Sequence, residues 1–339
     1  MPDKPLRLSI LDHAPVTAGL PLGDAFRHST KLAQLGERLG YKRFWVAEHH
    51  GMPWLASSTP PVLAAHVAAQ TSTIRVGTGG LMLSNYSPLA TVEQMGLLEV
   101  LHPGRIDLGL GRSSGADQLT AHALRPNQED FSHLFAELLA FFQGEFPDGH
   151  PYGGIRIWPT PGQGPMPALW LLGSGTYSAQ MAGALGLPFA HGGHFAGANS
   201  VNAIQTYRNA FRPSETLKEP YSIVSVQVTC METDEEAERH HNASYVSQVR
   251  AMSGGPGYLM SPEDAEAAPG DPSAAAEAQF VAEVYSHHIV GSPTTVKAGL
   301  EDLAKRTGAD ELMIANIMYG YENRLKSFEL IAEACLGRD

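Results

Sequence analysis

Ile74-Arg75-Val76-Gly77-Thr78-Gly79-Gly80-Leu81-Met82-Leu83 is followed by a helix candidate, Pro88–Leu101, and then by a second apolar run, Ile106-Asp107-Leu108-Gly109-Leu110. Short apolar runs separated by longer helical stretches point to a parallel sheet covered by helices. The same unit recurs in both directions. Upstream, Leu6–Leu11 reads as a strand and Asp24–Leu39 as a helix, with Phe26, Leu32, Leu35 and Leu39 at helical spacing and Gly40 as its stop. Phe44–Ala47 and Pro61–Gln70 repeat the pair. Downstream come helix Glu129–Phe142, strand Leu169–Leu172, helix Ser178–Leu185, strand Phe189–His191, helix Asn199–Phe211, strand Tyr221–Thr229 and helix Asp234–Arg250. Helix Pro293–Thr307, strand Glu311–Ile317 and helix Asn323–Leu336 complete the series. Eight strand-then-helix units in 339 residues predict an α/β fold, a (β/α)8 TIM barrel with insertion loops, over the alternative of an open doubly wound sheet. Two stretches break the rhythm. Gly149–Pro167, rich in Gly and Pro, reads as an insertion loop. Ser253–Ser273 (253-273) reads equally as a passive surface loop or a mobile lid.

Composition narrows the partners. The net charge of -12 and the lack of a basic stripe argue against nucleic acid and against anionic membranes. No stretch is long and apolar enough to span a bilayer, and no secretory leader is expected at the N-terminus. The two cysteines, Cys230 and Cys335, form no pair motif, so neither a disulfide framework nor a cysteine zinc site is expected, and a cytoplasmic location suits two free thiols.

In a barrel of this kind chemistry sits where the strand C-termini gather, so the residues just past each apolar run are the candidates. Glu48-His49-His50 follows the second run. Adjacent residues on an extended chain point to opposite sides, so one of the two histidines faces the barrel axis. That spacing does not suit a zinc pair, which favours i, i+4 on a helix. The histidine facing the axis is either a structural cap or an acid/base working near neutral pH. Gly77-Thr78-Gly79-Gly80 places three glycines within four residues, which reads as a tight turn or as bare backbone under a flat ligand, where a cis non-proline bond would be easiest.

Arg112, after Gly109-Leu110-Gly111, is a candidate phosphate clamp. The glycine spacing there misses the dinucleotide fingerprint. Gly173-Ser174-Gly175-Thr176-Tyr177-Ser178 opens a helix, either as an ordinary N-cap or as an anion-binding nest of amides. On neighbouring strands of one rim, Arg112 and this nest suit one phosphate monoester, and the glycines after the third strand leave room for a ring system. That is the layout of a mononucleotide such as FMN. His191-Gly192-Gly193-His194-Phe195 reads as a wall of the flavin or substrate pocket, since no acidic or cysteine partner for a metal lies nearby. His240-His241 reads as solvated on a charged helix, and His287-His288, before the apolar pair Ile289-Val290, has no obvious partner.

At these residues the chain resembles the bacterial luciferase-like flavin monooxygenases over nearly its whole length. The resemblance is carried by Phe44-Trp45-Val46-Ala47-Glu48-His49-His50, by Ile74-Arg75-Val76-Gly77-Thr78-Gly79-Gly80, and by His102-Pro103-Gly104-Arg105-Ile106-Asp107-Leu108-Gly109-Leu110-Gly111-Arg112. Val290-Gly291-Ser292-Pro293 and Thr307-Gly308-Ala309-Asp310-Glu311-Leu312 add to it, while Leu171-Leu172-Gly173-Ser174 and Tyr177-Ser178-Ala179 look like a non-luminous subgroup. It implies a single luciferase-like barrel domain over 1-339, reduced FMN delivered by a separate NAD(P)H:flavin reductase, O2 as co-substrate, and a homodimer. By position it implies His49 as the catalytic histidine and a cis peptide at Gly79-Gly80. It also implies cofactor contacts at Gly111, Arg112, Gly173, Ser174, Gly175, Tyr177 and Ser178. Gly111 stands where luciferase carries a reactive thiol, which weakens a light-emitting role more than an oxygenase role. The expected reaction is insertion of one oxygen of O2 into a small organic substrate such as an aldehyde, a ketone or an aromatic intermediate. Trp54, Met82, His191, His194 and Phe195 are the expected pocket walls. Three alternatives stay open: hydride transfer with a deazaflavin, whose acidic tail would want a more basic rim; flavin binding without catalysis; and a metal-dependent barrel hydrolase.

Overall fold

Alternate residues of each strand divide between two cores. Leu8 and Ile10, Phe44 and Val46, and Leu312 and Ile314 pack outward among the helices, while Leu11, Trp45, Met313 and Ala315 gather inside the sheet. The computed structural model describes residues 6–127, 129–157, 166–270 and 272–337. Its strands are β1 (Leu8–Asp12), β2 (Arg43–Val46), β3 (Arg75–Met82), β4 (Ile106–Gly111), β5 (Ala168–Gly173), β6 (Phe189–His191), β7 (Ser222–Cys230), β8 (Ile289–Gly291) and β9 (Glu311–Ala315). Parallel pairing runs from β1 through β7, then from β7 to β9 and back to β1. Eight parallel strands therefore close the (β/α)8 barrel that the sequence predicts, and their C-terminal ends share one rim.

β8 stands outside that ring. It pairs only with Val228–Cys230, the end of β7 that runs past the barrel closure. The sequence shows only the apolar pair Ile289-Val290 here, too short to read as a strand, and its partner lies far away in the chain.

Helix ends follow the local signals. Helix Gly23–Leu39 stops at Gly40, whose φ of 87° is a left-handed conformation that a side chain would strain. Helix Phe131–Gln143 starts where the Asp130 side chain accepts from the Ser132 amide. Among the described residues no helix is long and apolar enough to cross a membrane.

The N-terminal half of the barrel interior is plugged by a buried polar network. Arg43 donates from Nε to Glu311 at 2.8 Å and from Nη1 to Asp107 at 2.9 Å. Trp45 Nε1 and Arg75 also donate to Asp107, and Tyr221 and Ser9 to Glu311. The Arg43 guanidinium lies 4.7 Å from the Trp170 ring centroid. Above this plug Leu11, Trp45, Trp170, Ile223 and Met313 form an apolar layer that becomes the floor of the site.

The two irregular stretches differ. Residues 158–165 of Gly149–Pro167 lie outside the described residues. In the other stretch, Leu259 donates its amide to Val16 and accepts from Ala18, and Pro262–Ala267 forms a short helix capped by Ser261. The segment is thus stitched to the chain just after β1, and residue 271 lies outside the described residues.

Candidate active site

A cavity of about 490 Å³ opens at the C-terminal rim. That is within the size range of small-molecule and cofactor pockets. It is lined by Gly79, Gly80, Gly111, Arg112, Gly173, Ser174, Gly175, Tyr177 and Ser178 on one side, and by His49, Met82, His191, His194 and Phe195 elsewhere. Leu11, Trp45, Ile223 and Met313 contribute to the floor. Trp54 is a correction to the expected wall: it does not line the cavity. It is buried in the loop before helix Pro60–Ala69, and its carbonyl accepts from the Val16 amide. The direction in which a loop residue points is set by that distant partner.

Glu48 ties two strand ends together. Its fully buried carboxylate accepts from the Met82 amide, from Asn85 Nδ2 and from His50 Nε2, each at 2.9 Å. This fixes the end of β3 against the end of β2 and turns His50 away, leaving His49 as the histidine on the cavity wall. The Gly79–Gly80 peptide bond is cis. A Cβ on Gly80 would lie 3.1 Å from Leu172 Cδ2 and 3.2 Å from Gly109 O, and one on Gly111 would lie 2.7 Å from Met82 Sδ. This part of the wall is bare backbone, and a side chain at either position would push Leu172 or Met82 aside.

Arg112 and the helix Thr176–Ala184 form the polar end. The guanidinium lies 4.8 Å from the Tyr177 ring centroid and pairs with no carboxylate among the described residues. Gly175 at the N-cap offers no side-chain oxygen to the first amides of the helix, and a Cβ there would meet nothing within 4 Å. A cation beside uncapped amides at the positive end of a helix is a pair of complementary groups for an anion.

The opposite end is a cluster of imidazoles. His49 stacks on His13 with centroids 5.4 Å apart and planes 18° apart, and His13 meets His194 edge-on at 5.3 Å. Burial, and then His50, pulls His49 down to about 4. Burial, then His49 and Arg324, holds His13 well below the usual imidazole range. All of these rings are neutral at pH 7. His49 Nδ1 is buried without a partner among the described residues, which leaves Nε2 as the nitrogen open to the cavity. His13 was missed in the sequence although it lies immediately past β1, where the strand-end rule would have found it. A lone histidine gains meaning only when two other strand ends bring His49 and His194 against it.

Two further histidine pairs depart from expectation. His240 is buried, and His241 packs against Tyr285 and His288 rather than standing in solvent. His288, immediately before β8, reaches the His194 carbonyl at 3.3 Å. Among the described residues no group of three or more His, Cys, Asp or Glu is arranged to hold a metal ion.

Comparison with known proteins agrees with this geometry. The family model described as luciferase-like monooxygenase matches residues 6–311. A luciferase-like monooxygenase of Escherichia coli strain K12 is 40% identical over 99% of this chain and 100% of its own length. The crystal structure of apo-MsnO8 superposes with a TM-score of 0.85 at 39% identity, covering 98% of each chain. A more distant likeness, of fold alone, is the oxygenating constituent of 3,6-diketocamphane monooxygenase from Pseudomonas putida in complex with FMN. Its TM-score is 0.68 at 19% identity over 98% of each chain. The chain belongs to the luciferase-like monooxygenases, a family of flavin-dependent oxidoreductases.

Proposed function

We propose that the cavity binds reduced FMN and that the enzyme transfers one atom of O2 to a small organic substrate, with the reduced flavin supplied by a separate NAD(P)H:flavin reductase. The observation that carries this reading is the pairing of Arg112 and the uncapped Thr176–Ala184 amides with the side-chain-free shelf at Gly79, Gly80 and Gly111. The first suits a phosphate monoester, and the second suits a flat ring laid on backbone. FMN, when bound, supplies the electrons and the position where O2 reacts.

The remaining contributions come from the chain. Arg112 and the Gly175–Ser178 backbone bind the phosphate. Trp45, Leu11, Ile223 and Met313 keep water from beneath the ring system, which matters because water opens side reactions of reduced flavin with oxygen. His49 holds or moves a proton at Nε2. Its buried ring makes the charged form costly, so a proton taken there is readily handed back. The test is oxygen uptake by the protein with FMN, NADH and a flavin reductase across a panel of aldehydes, ketones and aromatic compounds. The expected result is substrate-dependent product with an added oxygen. No FMN binding, and no uptake above the free-flavin background with any compound, would refute the reading. His49→Ala should slow turnover and leave FMN affinity nearly intact, and unchanged turnover removes His49 from the mechanism.

A further inference from the structure

His194 and Ser225 fix one another's protons. Ser225 Oγ lies 2.9 Å from the His191 carbonyl oxygen. A carbonyl only accepts, so the one arrangement that makes hydrogen bonds of both Ser225 contacts has the hydroxyl donate to His191. The same Oγ lies 2.7 Å from His194 Nδ1. With its proton committed, the serine oxygen accepts, so Nδ1 carries the hydrogen of the neutral ring and Nε2 carries the lone pair.

The surroundings keep that ring neutral. Burial, followed by the rings of His13, His49, His288 and His191, holds His194 well below the usual imidazole range. The rings of His13 and Phe195 meet it in T-shaped contacts at 5.3 and 4.7 Å, and His288, just before β8, reaches its carbonyl. No described residue hydrogen-bonds to Nε2, and His194 lines the cavity. The other charged groups of the lining are accounted for. The Glu48 carboxylate is filled by Met82, Asn85 and His50, and Arg112 belongs to the polar end beside Tyr177. The cavity wall at His194 therefore offers one tautomer-locked acceptor in an uncharged surround.

We infer that His194 is a specificity-determining residue whose Nε2 accepts a hydrogen bond from a hydroxyl or N–H group of an uncharged, otherwise apolar substrate. The inference rests on reading the cavity as the substrate site. A carboxylate would bring its own lone pairs against Nε2. A molecule without a donor would leave a buried acceptor unpaired, which is how polar sites reject analogues that lack a hydrogen-bonding group.

Phenol and its methyl ether, anisole, differ by that donor, and benzoate replaces it with an anion. Their binding to the full chain is measured by ligand-observed NMR titration, with and without oxidised FMN. Phenol is expected to bind about 2- to 10-fold tighter than anisole, the worth of one uncharged hydrogen bond, and benzoate no tighter than anisole once FMN covers the Arg112 end. His194→Phe should abolish the difference. Ser225→Ala, which unlocks the tautomer, should shrink it, and Ser225→Thr should restore it. Equal affinities in the unsubstituted chain, or an undiminished preference in His194→Phe, overturn the inference. Should His194→Phe not fold, the unsubstituted chain and the Ser225 pair decide alone. FMN affinity read on the same samples separates the two proposals: absence of FMN binding refutes the cofactor reading, whereas loss of the phenol preference with FMN bound refutes only this one.

Discussion

Glu48→Gln changes one atom and almost no volume, so its cost reads the hydrogen bonding directly. The carboxylate of Glu48 is fully buried and receives the Met82 amide at one oxygen and Asn85 Nδ2 and His50 Nε2 at the other. An amide side chain retains one acceptor and turns the second into a donor. If the oxygen stays with Asn85 and His50, the new NH2 faces the Met82 N–H. If it flips, the NH2 faces Asn85 and His50. Either way at least one buried donor loses its partner, at about 1–3 kcal/mol, and the surviving bonds lose their charge assistance. The sum is a loss of roughly 2–4 kcal/mol, or about 3–6 °C in Tm for a chain of this size. Urea and thermal unfolding of the two proteins measure it. Because Met82 and His49 both line the cavity, FMN affinity should fall with stability. A stability loss below about 0.5 kcal/mol would show that the β2–β3 rim is held by packing and not by Glu48, and would refute this account of the rim.

Other perturbations test separate parts of the molecule. Arg43→Met leaves Asp107 and Glu311 buried with their shared partner gone and should destabilise by about 3–5 kcal/mol, seen as a lower urea midpoint. Arg112→Met should weaken FMN about tenfold or more while leaving riboflavin, which lacks the phosphate, nearly unchanged. Equal losses for both would remove Arg112 from phosphate binding. His28, stacked on Tyr321 with neither ring nitrogen partnered among the described residues, is pushed down to about 3 by burial and then by Arg324. Its folded pKa lies below its unfolded value of about 6.5, so the unfolded chain takes up the proton first and stability is lost as pH falls below about 6.5. His28→Phe should therefore be close to neutral at pH 7.5 and gain roughly 2 kcal/mol over the parent at pH 5, read by thermal unfolding at the two pH values; parallel pH curves would show that His28 is not desolvated.

Much of the barrel is legible because its strands alternate with helices and its inward and outward residues follow the two-residue period. The glycines at Gly79, Gly80 and Gly111 and the cation at Arg112 are legible because they stand in or just past the C-terminal halves of β3 and β4, where a barrel puts its rim. What stays hidden is whatever depends on a partner distant in sequence. β8 has three residues and exists only because β7 runs on to meet it. Trp54 looks like a pocket wall until the Val16 amide claims its carbonyl. His241 and His288 look like unrelated histidines on two helical flanks, and only the packing of helix Asp234–Met252 against β8 brings their rings to 5.3 Å.

The two ends of the barrel interior answer the same problem in opposite ways. At the N-terminal end the charges are retained and matched: one arginine sits between two carboxylates, with Trp45, Tyr221, Arg75 and Ser9 completing the shells. At the C-terminal end no carboxylate among the described residues acts on His13, His49 and His194, and burial keeps these rings neutral. The plug is saturated, and at the rim Glu48 is likewise filled by Met82, Asn85 and His50, which leaves Arg112 as the lining charge without a carboxylate partner among the described residues. A barrel arranged in this way fixes the anionic end of its cofactor by charge and leaves the remainder of the cavity to a substrate recognised by shape and single hydrogen bonds. Introducing a carboxylate among the imidazoles, as in Ser225→Asp, would bring the protonation of His194 into the physiological range and give the rim the paired character of the plug. Once His194 is protonated the cavity would favour neither the phenol-type donor nor a dry reaction, so its phenol-over-anisole preference should fall as pH drops from 8 to 6, whereas that of the unsubstituted chain stays constant.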